Sequence, residues 1–164
     1  MENILYAPWR DEYIKNKKIE GCVFCHISTH KDDDTDLHVL YRDEHCFIVM
    51  NKYPYTPGHF MIIPHRHTDS LEELDSEVWL HMTSLAQKGV KLLKEGFNAQ
   101  GVNLGMNLGK AGGAGIAEHI HLHLVPRWER DTNFISSIAN TRVYSTDFET
   151  VYQKILNLIP QYLS

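Results

Sequence analysis

Histidine and aliphatic residues alternate at residues 118–126, which read EHIHLHLVP. Successive side chains of a β-strand point to opposite faces of a sheet, so this period of two predicts a strand. Its two faces would carry histidines on one side and aliphatic residues on the other: His119, His121 and His123 against Ile120, Leu122 and Leu124. Three imidazoles in register exceed what a half-buried strand needs. We therefore interpret the histidine face as a functional one.

The spacing of the three histidines limits their chemistry. His119 and His123 lie roughly 13 Å apart along an extended strand. One ion with Zn–N bonds of about 2.0–2.1 Å cannot reach all three unless the strand bends. A row of imidazoles can instead contact phosphate oxygens around one nucleophilic nitrogen. The central His121 is then the natural nucleophile.

A glycine-rich segment, GKAGGAG at residues 109–115, comes shortly before the histidine row. Glycines let a backbone approach a ligand closely and turn its N–H groups towards an anion. Most such segments are only turns, but this one leads directly into the row. Together the two segments predict a site for phosphoryl or nucleotidyl chemistry.

Residues 119–125 resemble the signature of the histidine-triad (HIT) family, in which three histidines alternate with hydrophobic residues. NKYPYTPGHFMIIP at residues 51–64 is similar to that family's second segment, and the resemblance covers roughly residues 21–128. The flanks are LYAPWR at residues 5–10 and PRW at 126–128, which runs on to NFI at 133–135. These flanks are similar to the branch that contains bacterial diadenosine tetraphosphate phosphorylases.

The resemblance implies an enzyme that cleaves a nucleotide at its α-phosphate through a nucleotidyl-histidine intermediate. His121 would attack phosphorus, the backbone carbonyl of His119 would orient it, and His123 would stabilise the non-bridging oxygens. The implied substrate-binding residues are Asn51 at the ribose hydroxyl and, at the phosphate oxygens, Asn107, Gly113, Ala114, Gly115 and Ile116.

The chain departs from the family pattern beside the leaving group. Many HIT hydrolases carry Gln followed by Ser or Thr there, whereas this chain has Gly115 and Ile116. An open loop with a cation, Lys110, suits a second anion better than a lone water. We therefore favour phosphorolysis of diadenosine tetraphosphate over hydrolysis of a dinucleoside polyphosphate or a nucleoside phosphoramidate. A non-catalytic nucleotide sensor, which would not need His121, is the alternative from another class.

Cys22 and Cys25 have the Cys-x-x-Cys spacing of many zinc-binding pairs, which need a second pair of ligands. Resemblance to zinc-containing HIT proteins implies that His67 and His119 supply it. A redox pair and two plain thiols are the alternatives. Cys46 lies in an apolar run and is predicted to belong to the core.

The remaining patterns predict an α+β fold with a mainly antiparallel, five-stranded sheet. Apolar runs at 37–41 and 46–50 form a hairpin signal, and 60–64 and 100–108 form two further strands. Helical spacing predicts one long helix over residues 76–95 and a short amphipathic helix near the C-terminus. Ser70 and Glu73 match a capping box that starts a short helical turn. Residues 26–36 are polar and predict an exposed loop.

Length and charge limit the class of protein. The 164 residues predict one domain, with residues 1–20 as an N-terminal extension, 21–128 as the core and 129–164 as a C-terminal extension. A net charge of −5 argues against a nucleic-acid polymer as partner. No apolar run approaches the roughly 20 residues that span a bilayer, and the first residues lack a signal peptide's basic start.

The expected location and partners follow from these limits. Three cysteines fit a reducing compartment, so we expect a cytoplasmic protein. A five-stranded sheet leaves an exposed edge that a second copy would cover, and the family resemblance likewise implies a homodimer. The other expected partner is a small nucleotide, with structural zinc possible and no organic cofactor.

Overall fold

The computed structural model describes residues 21–129, 131, 138, 144 and 146–163. Residues 1–20 and 133–135 lie outside these, so what the sequence predicts for both flanks stays a prediction, as does the division into one core and two extensions. None of the helices in the described part of the chain combines the length and apolar character that crossing a membrane requires.

Five strands form one antiparallel sheet in the order β1-β2-β3-β5-β4. They are β1 Val39–Arg42, β2 Cys46–Met50, β3 Phe60–Pro64, β4 Gly101–Gly105 and β5 Leu122–Arg127. This confirms the predicted α+β architecture. β2 and β3 have the predicted bounds because every one of their residues is buried, so their apolar runs coincide with the strands. Cys46 is fully buried, as expected for a core residue.

β5 begins later than the histidine pattern predicts. Of the three histidines only His123 lies in the strand, where it pairs with Met61 of β3 and Gly105 of β4. The prediction of a strand from residue 118 was therefore wrong at its start. The register that pairs Ile62 with Leu122 would place Pro64 opposite Ile120. Proline has no N–H to donate to a neighbouring strand, and Ile120 N–H donates to the carbonyl of Thr68, outside the sheet.

Two helices cover one face of the sheet. Helix α2 is Ser76–Gly96, close to the predicted 76–95, and helix α3 is Phe148–Tyr162. Asp75 caps α2 by accepting a hydrogen bond from Glu77 N–H. The main core lies beneath α2 and α3 and takes in the aliphatic side chains that alternate with the histidines, Ile120, Leu122 and Leu124.

Two local predictions before α2 need correction. Residues 71–73 form the expected short turn, a 3-10 helix, but Ser70 makes no capping bond; its hydroxyl donates to Asp69 instead. The polar segment 26–36 is not a simple loop, because helix α1, Val23–Thr29, occupies its start and a 3-10 turn, Lys31–Asp33, follows. The Arg42 guanidinium stabilises the end of α1 by donating to the carbonyls of Ile27 and Ser28.

α1 covers the sheet face opposite α2. Its buried side chains, Phe24 and Ile27, belong to a second apolar cluster with Val39, Phe47, Val49, Met61 and Ile63. His119 and His121 project towards this side, since their rings pack against Phe24. The sheet therefore separates a helix-covered core from a smaller cluster that adjoins the histidines.

Candidate functional site

The hydrogen bond of His121 determines which of its ring nitrogens can react. Nδ1 lies 2.8 Å from the carbonyl oxygen of His119. Because a carbonyl only accepts, the proton sits on Nδ1 and Nε2 carries the lone pair. Burial of the ring lowers the pKa of His121 below its usual value. The imidazole is therefore neutral near pH 7, with Nε2 available as a nucleophile.

The ring of His123 is oriented by a buried histidine that sequence reasoning missed. Tyr55 N–H donates to His59 Nδ1 at 3.2 Å, so the proton of a neutral His59 is on Nε2. That Nε2–H lies 2.9 Å from His123 Nδ1, which must accept it. The proton of His123 is consequently on Nε2, the opposite arrangement from His121.

Burial keeps this pair of histidines uncharged. His59 is 0% exposed, and burial lowers its pKa to about 3. Burial likewise lowers the pKa of His123 to about 4. The one sequence signal for His59 was its place in the segment 51–64, directly before an apolar strand, and a lone histidine there is more often structural.

His121 and His123 thus offer complementary groups side by side. Their ring centroids are 4.7 Å apart. One ring presents a lone pair at Nε2 and the other an N–H at Nε2. A nucleophile next to a fixed hydrogen-bond donor is suited to attack on phosphorus with stabilisation of the negative oxygens that result.

Asn51 lies at the edge of this arrangement. Its side-chain oxygen accepts a hydrogen bond from Tyr53 N–H at 2.9 Å, and its amide nitrogen lies 3.3 Å from His59 Nε2. Asn51 is half-buried. The structure therefore brings it to the histidines, and its contact with a ribose stays a prediction.

The glycine-rich segment forms an exposed loop beyond β4. Gly109 and Gly113 have φ values of 68° and 87°, which glycine adopts without strain. Within the loop, Gly113 N–H donates to Lys110 O and Ala114 N–H to Gly109 O, at 3.1 and 3.3 Å. These two groups are therefore already engaged with loop carbonyls rather than directed at an external anion. Lys110 and Gly115 are exposed.

The ends of this loop approach the histidines from two directions. Asn107 follows β4, whose last residue, Gly105, pairs with His123. Ile116 is half-buried and packs against the second apolar cluster. The loop thus connects the His123 side of the site to the cluster around Phe24.

The four sequence-predicted metal ligands come together beside the histidine row. Their ligand atoms all lie within 4.8 Å of one another: Cys22, Cys25, His67 and His119. His119 Nδ1 is 3.4 and 3.7 Å from the two sulfurs, and His67 Nδ1 is 3.2 Å from Cys25 Sγ. Two sulfurs and two imidazole nitrogens are a donor set that tetrahedral zinc prefers.

The tautomer of His119 also fits a ligand. Its Nε2 lies 2.9 Å from the Pro64 carbonyl and must donate to it, so Nδ1 carries a lone pair towards the cysteines. Such a hydrogen bond from the far nitrogen is typical of metal-binding histidines. Burial raises the pKa of the Cys25 thiol, so a cation would be needed to favour its thiolate.

Comparison with protein families matches the HIT domain over residues 33–130. The chain belongs to the HIT domain family. A solved structure described as a Zn-bound histidine triad family protein from Mycobacterium smegmatis is 31% identical to this HIT protein, with a TM-score of 0.70, and the match covers 86% of this chain and 94% of that one.

Two curated relatives carry names that concern dinucleotides. An AP-4-A phosphorylase of Mycobacterium tuberculosis is 39% identical over 105 residues, which is 64% of this HIT protein but only 54% of the relative. The chain therefore spans about half the length of that relative. A bis(5'-adenosyl)-triphosphatase of Dictyostelium discoideum is 29% identical over 102 residues, 62% of this chain and 68% of the relative.

Proposed function

We propose that the chain is a diadenosine tetraphosphate phosphorylase that acts through a nucleotidyl-His121 intermediate. The observation that carries this proposal is the pair of opposite tautomers at His121 and His123. A structural role for the row would need neither a free lone pair nor an aligned N–H. The AP-4-A phosphorylase name of the Mycobacterium tuberculosis relative supports the choice of substrate.

In the first step, His121 Nε2 attacks the α-phosphorus of diadenosine tetraphosphate. A P–N bond forms, the bond from phosphorus to the bridging oxygen breaks, and ATP leaves with the bonding electrons. His123 Nε2–H donates to a non-bridging oxygen, whose charge grows in the transition state. Because Nδ1–H of His121 stays hydrogen-bonded to the carbonyl of His119, the orientation of the ring towards phosphorus does not change during the step.

In the second step, an oxygen of inorganic phosphate attacks the same phosphorus. The P–N bond breaks, ADP leaves, and His121 Nε2 regains its lone pair. Lys110 and the exposed backbone around Gly115 would attract the phosphate, since the loop is open and carries a cation. The loop lacks the side-chain hydroxyl with which hydrolytic relatives contact the leaving group.

The second apolar cluster supports a nucleoside subsite on the same face. Phe24 packs 5.1 Å from the ring of His121, and the half-buried Leu37 and Ile116 adjoin the cluster. An apolar surface next to polar reactive groups is typical of nucleotide sites. The base would lie against this cluster, with Asn51 hydrogen-bonded to the ribose.

We also propose that zinc occupies the Cys22, Cys25, His67 and His119 site. The ion would supply structural cross-linking between α1 and the segment that precedes β5. His119 then connects the two sites, because its ring binds the ion while its backbone carbonyl holds His121. The Zn-bound relative from Mycobacterium smegmatis supports the choice of metal.

A homodimer completes the proposal. β4 lies at one edge of the sheet, and its Leu104 side chain is 53% exposed. Edge strands of this kind are commonly covered by another chain. Light scattering coupled to size-exclusion chromatography should give twice the mass of one chain, and a monomeric mass at micromolar concentration would contradict the dimer.

Product analysis tests the proposed activity. Diadenosine tetraphosphate is incubated with the protein with and without inorganic phosphate, and the nucleotides are separated by chromatography. With phosphate present we expect ATP and ADP in equal amounts over many turnovers. Without phosphate, the reaction should stop after at most one ATP per chain, because the nucleotidyl-His121 intermediate is not released. AMP with no dependence on phosphate would instead make the chain a hydrolase, the second candidate, which the Dictyostelium triphosphatase supports. Nucleotide binding without turnover would favour a sensor and overturn both.

A further inference from the structure

A second cluster of metal-binding side chains lies on the helix-covered side of the sheet. The ligand atoms of Asp43, Cys46 and His81 all lie within 4.8 Å of one another. Asp43 is in the turn between β1 and β2, Cys46 is the first residue of β2, and His81 is on α2. None of these three residues belongs to the Cys22, Cys25, His67 and His119 site or to the histidine row.

The Asp43 carboxylate is oriented by bonds that leave one oxygen for another purpose. Oδ1 accepts from the backbone N–H groups of His45 and Cys46, at 2.9 and 3.0 Å. These two bonds are sufficient to shape the turn. Oδ2 is not needed there, and it lies 2.6 Å from His81 Nε2.

The backbone of Asp43 is also fixed from outside. His65 Nε2–H donates to the Asp43 carbonyl at 2.9 Å, and Ser28 Oγ lies 2.7 Å from the other nitrogen of that ring. Metal-binding carboxylates are commonly held by such outer hydrogen bonds, which lower the cost of ordering the ligand. The position of Asp43 is therefore determined before any ion arrives.

The cluster has one buried side and one open side. Cys46 is 0% exposed, whereas the side chains of His81 and Asp43 are 34% and 18% exposed. An ion could enter from the open side and keep a water there. The ring of His45, whose centroid lies 5.1 Å from that of His81, is a candidate fourth ligand in place of the water.

We propose that Asp43, Cys46 and His81 bind one divalent transition-metal ion with the ligand preferences of zinc. Carboxylate oxygen, thiolate sulfur and imidazole nitrogen are all established zinc donors. Tetrahedral coordination places ligand atoms roughly 3.3–3.8 Å apart, so small side-chain rotations convert the cluster into a site. The ion takes the place of the proton between His81 and Asp43, and the thiol proton is released to solvent.

The bound ion would join two elements that already meet through the contact of His81 with Asp43. It would fix the β1–β2 turn to α2, on the opposite face of the sheet from the histidine row. Binding there should raise the melting temperature without entering the reaction. The inference does not rest on the proposed function, since it concerns different residues.

Cobalt(II) binding tests whether Cys46, the cysteine of the proposed site, becomes a thiolate ligand. The chain has three cysteines, so the Cys22→Ser/Cys25→Ser variant retains Cys46 alone. Titration of this variant with cobalt(II) should saturate at one ion per chain and develop a thiolate-to-cobalt charge-transfer band. The further change Cys46→Ser should abolish the band. Failure of the band to appear in the folded double-serine variant would overturn the proposal.

Zinc content of the chain with all its cysteines provides a test that does not depend on that variant folding. Protein purified without a histidine tag and incubated with excess zinc, then desalted, should retain two ions per chain. Asp43→Asn keeps an oxygen acceptor for the turn but removes the anionic ligand, and should lower the content by one ion. Glu44→Gln is the matched control, because Glu44 is a neighbouring carboxylate with an 84% exposed side chain. Equal zinc content in the Asp43→Asn variant and the unchanged chain would contradict the second site.

Discussion

His121 and His123 are the same residue type two positions apart, and their neighbours give them different roles. A backbone carbonyl takes the Nδ1 proton of His121, while His59 donates to Nδ1 of His123. Each contact leaves a different group at Nε2. The reactive nitrogen is therefore a property of the contacts around the row rather than of the histidines alone.

Removal of the proposed nucleophile should separate catalysis from binding. His121→Ala should abolish turnover of diadenosine tetraphosphate, because the substitution removes the nitrogen that attacks phosphorus. Affinity for the nucleotide should change by less than about tenfold, or ~1.4 kcal/mol. Single-turnover kinetics and calorimetric titration measure the two effects. A variant that retains a near-normal kcat would exclude His121 as the nucleophile.

The buried histidines should make the fold sensitive to mild acid. In the unfolded chain an imidazole binds a proton near its usual pKa of about 6.5. In the folded chain burial lowers the pKa of His59 to about 3 and of His123 to about 4. At pH values between the folded-state and unfolded-state pKa values of these rings, the unfolded state binds more protons than the folded state. The free energy of unfolding therefore falls as the pH decreases.

Urea denaturation at a series of pH values measures this dependence. We expect the midpoint to stay level above about pH 7 and to decrease from pH 6.5 towards pH 5. The window lies above the pKa of ordinary carboxyl groups, which keeps their contribution small. A midpoint that is unchanged between pH 7 and pH 5 would mean that the two rings are not held neutral.

At the scale of elements, α1 is the part that connects the proposed zinc site, the second apolar cluster and the histidine row. Cys22 and Cys25 lie at its start, and Phe24 packs against both His119 and His121. If zinc joins α1 to His119, loss of one thiolate should weaken the attachment of α1 to the histidine row.

Cys22→Ser should therefore lower both the zinc content and the melting temperature, because binding energy at a structural site contributes to folding. Metal analysis of untagged protein and calorimetry give the two values. Asn107→Ser, far from the thiols in sequence and not a candidate ligand, serves as control. Metal-free protein with an undiminished melting temperature would refute structural zinc.

The contact between α2 and the sheet depends on a glycine. A Cβ added at Gly89 would lie 2.9 Å from Leu124 and 3.1 Å from the Phe60 ring. Overpacking of this kind costs about 1–3 kcal/mol, against a gain of roughly 1 kcal/mol when Ala replaces Gly within a helix. Gly89→Ala should thus lower the free energy of unfolding, by about 1 kcal/mol in urea denaturation.

A glycine with room around it provides the comparison for that variant. An added Cβ at Gly105 meets no atom within 4 Å, so Gly105→Ala should leave the denaturation midpoint nearly unchanged. A higher free energy of unfolding for Gly89→Ala would contradict this account. It would mean that Leu124 and Phe60 move to accommodate the methyl group at no net cost.

The elements that sequence could predict are those with a continuous pattern. β2, β3 and α2 were predicted within one residue because their apolar residues follow one period to the end. α1 was missed because seven residues give one repeat, Phe24 and Ile27, among polar neighbours. The start of β5 was placed too early because alternation reports which side chains are apolar and not whether the backbone has a strand partner, and Ile120 N–H donates to the carbonyl of Thr68 outside the sheet.

The same limit applies to the candidate site. Cys22, Cys25, His67 and His119 could be assembled only through the family resemblance, because no local pattern connects residues so far apart. His59 was missed because its role depends on Tyr55 N–H and on His123 Nδ1, two contacts that exist only in the folded chain. A repeated residue type, such as the alternating histidines, can be recognised in the sequence. The hydrogen-bond partners of those residues cannot, because distant parts of the chain supply them.

At the scale of the whole molecule, the two faces of the sheet have different roles: one packs the main core, and the other carries the proposed reactive residues. Its α2 side carries the larger core, and its other side carries the histidine row with the smaller cluster beneath α1. Residues of the proposed site come from the segments before β3 and after β4, from the segment before β5, and from β5 itself, which contains His123. The site therefore requires β3, β4 and β5 to be paired with one another.

The central claim is that His121 becomes covalently nucleotidylated, and capture of that adduct tests it most directly. The protein is mixed with diadenosine tetraphosphate without inorganic phosphate, quenched in base to preserve a phosphoramidate, digested and analysed by mass spectrometry. We predict an adenylyl group on the peptide that contains His121, its disappearance when phosphate is added before the quench, and its absence in His121→Ala. Adenylylation of another residue, or phosphate-dependent turnover with no adduct at any time, would contradict the account.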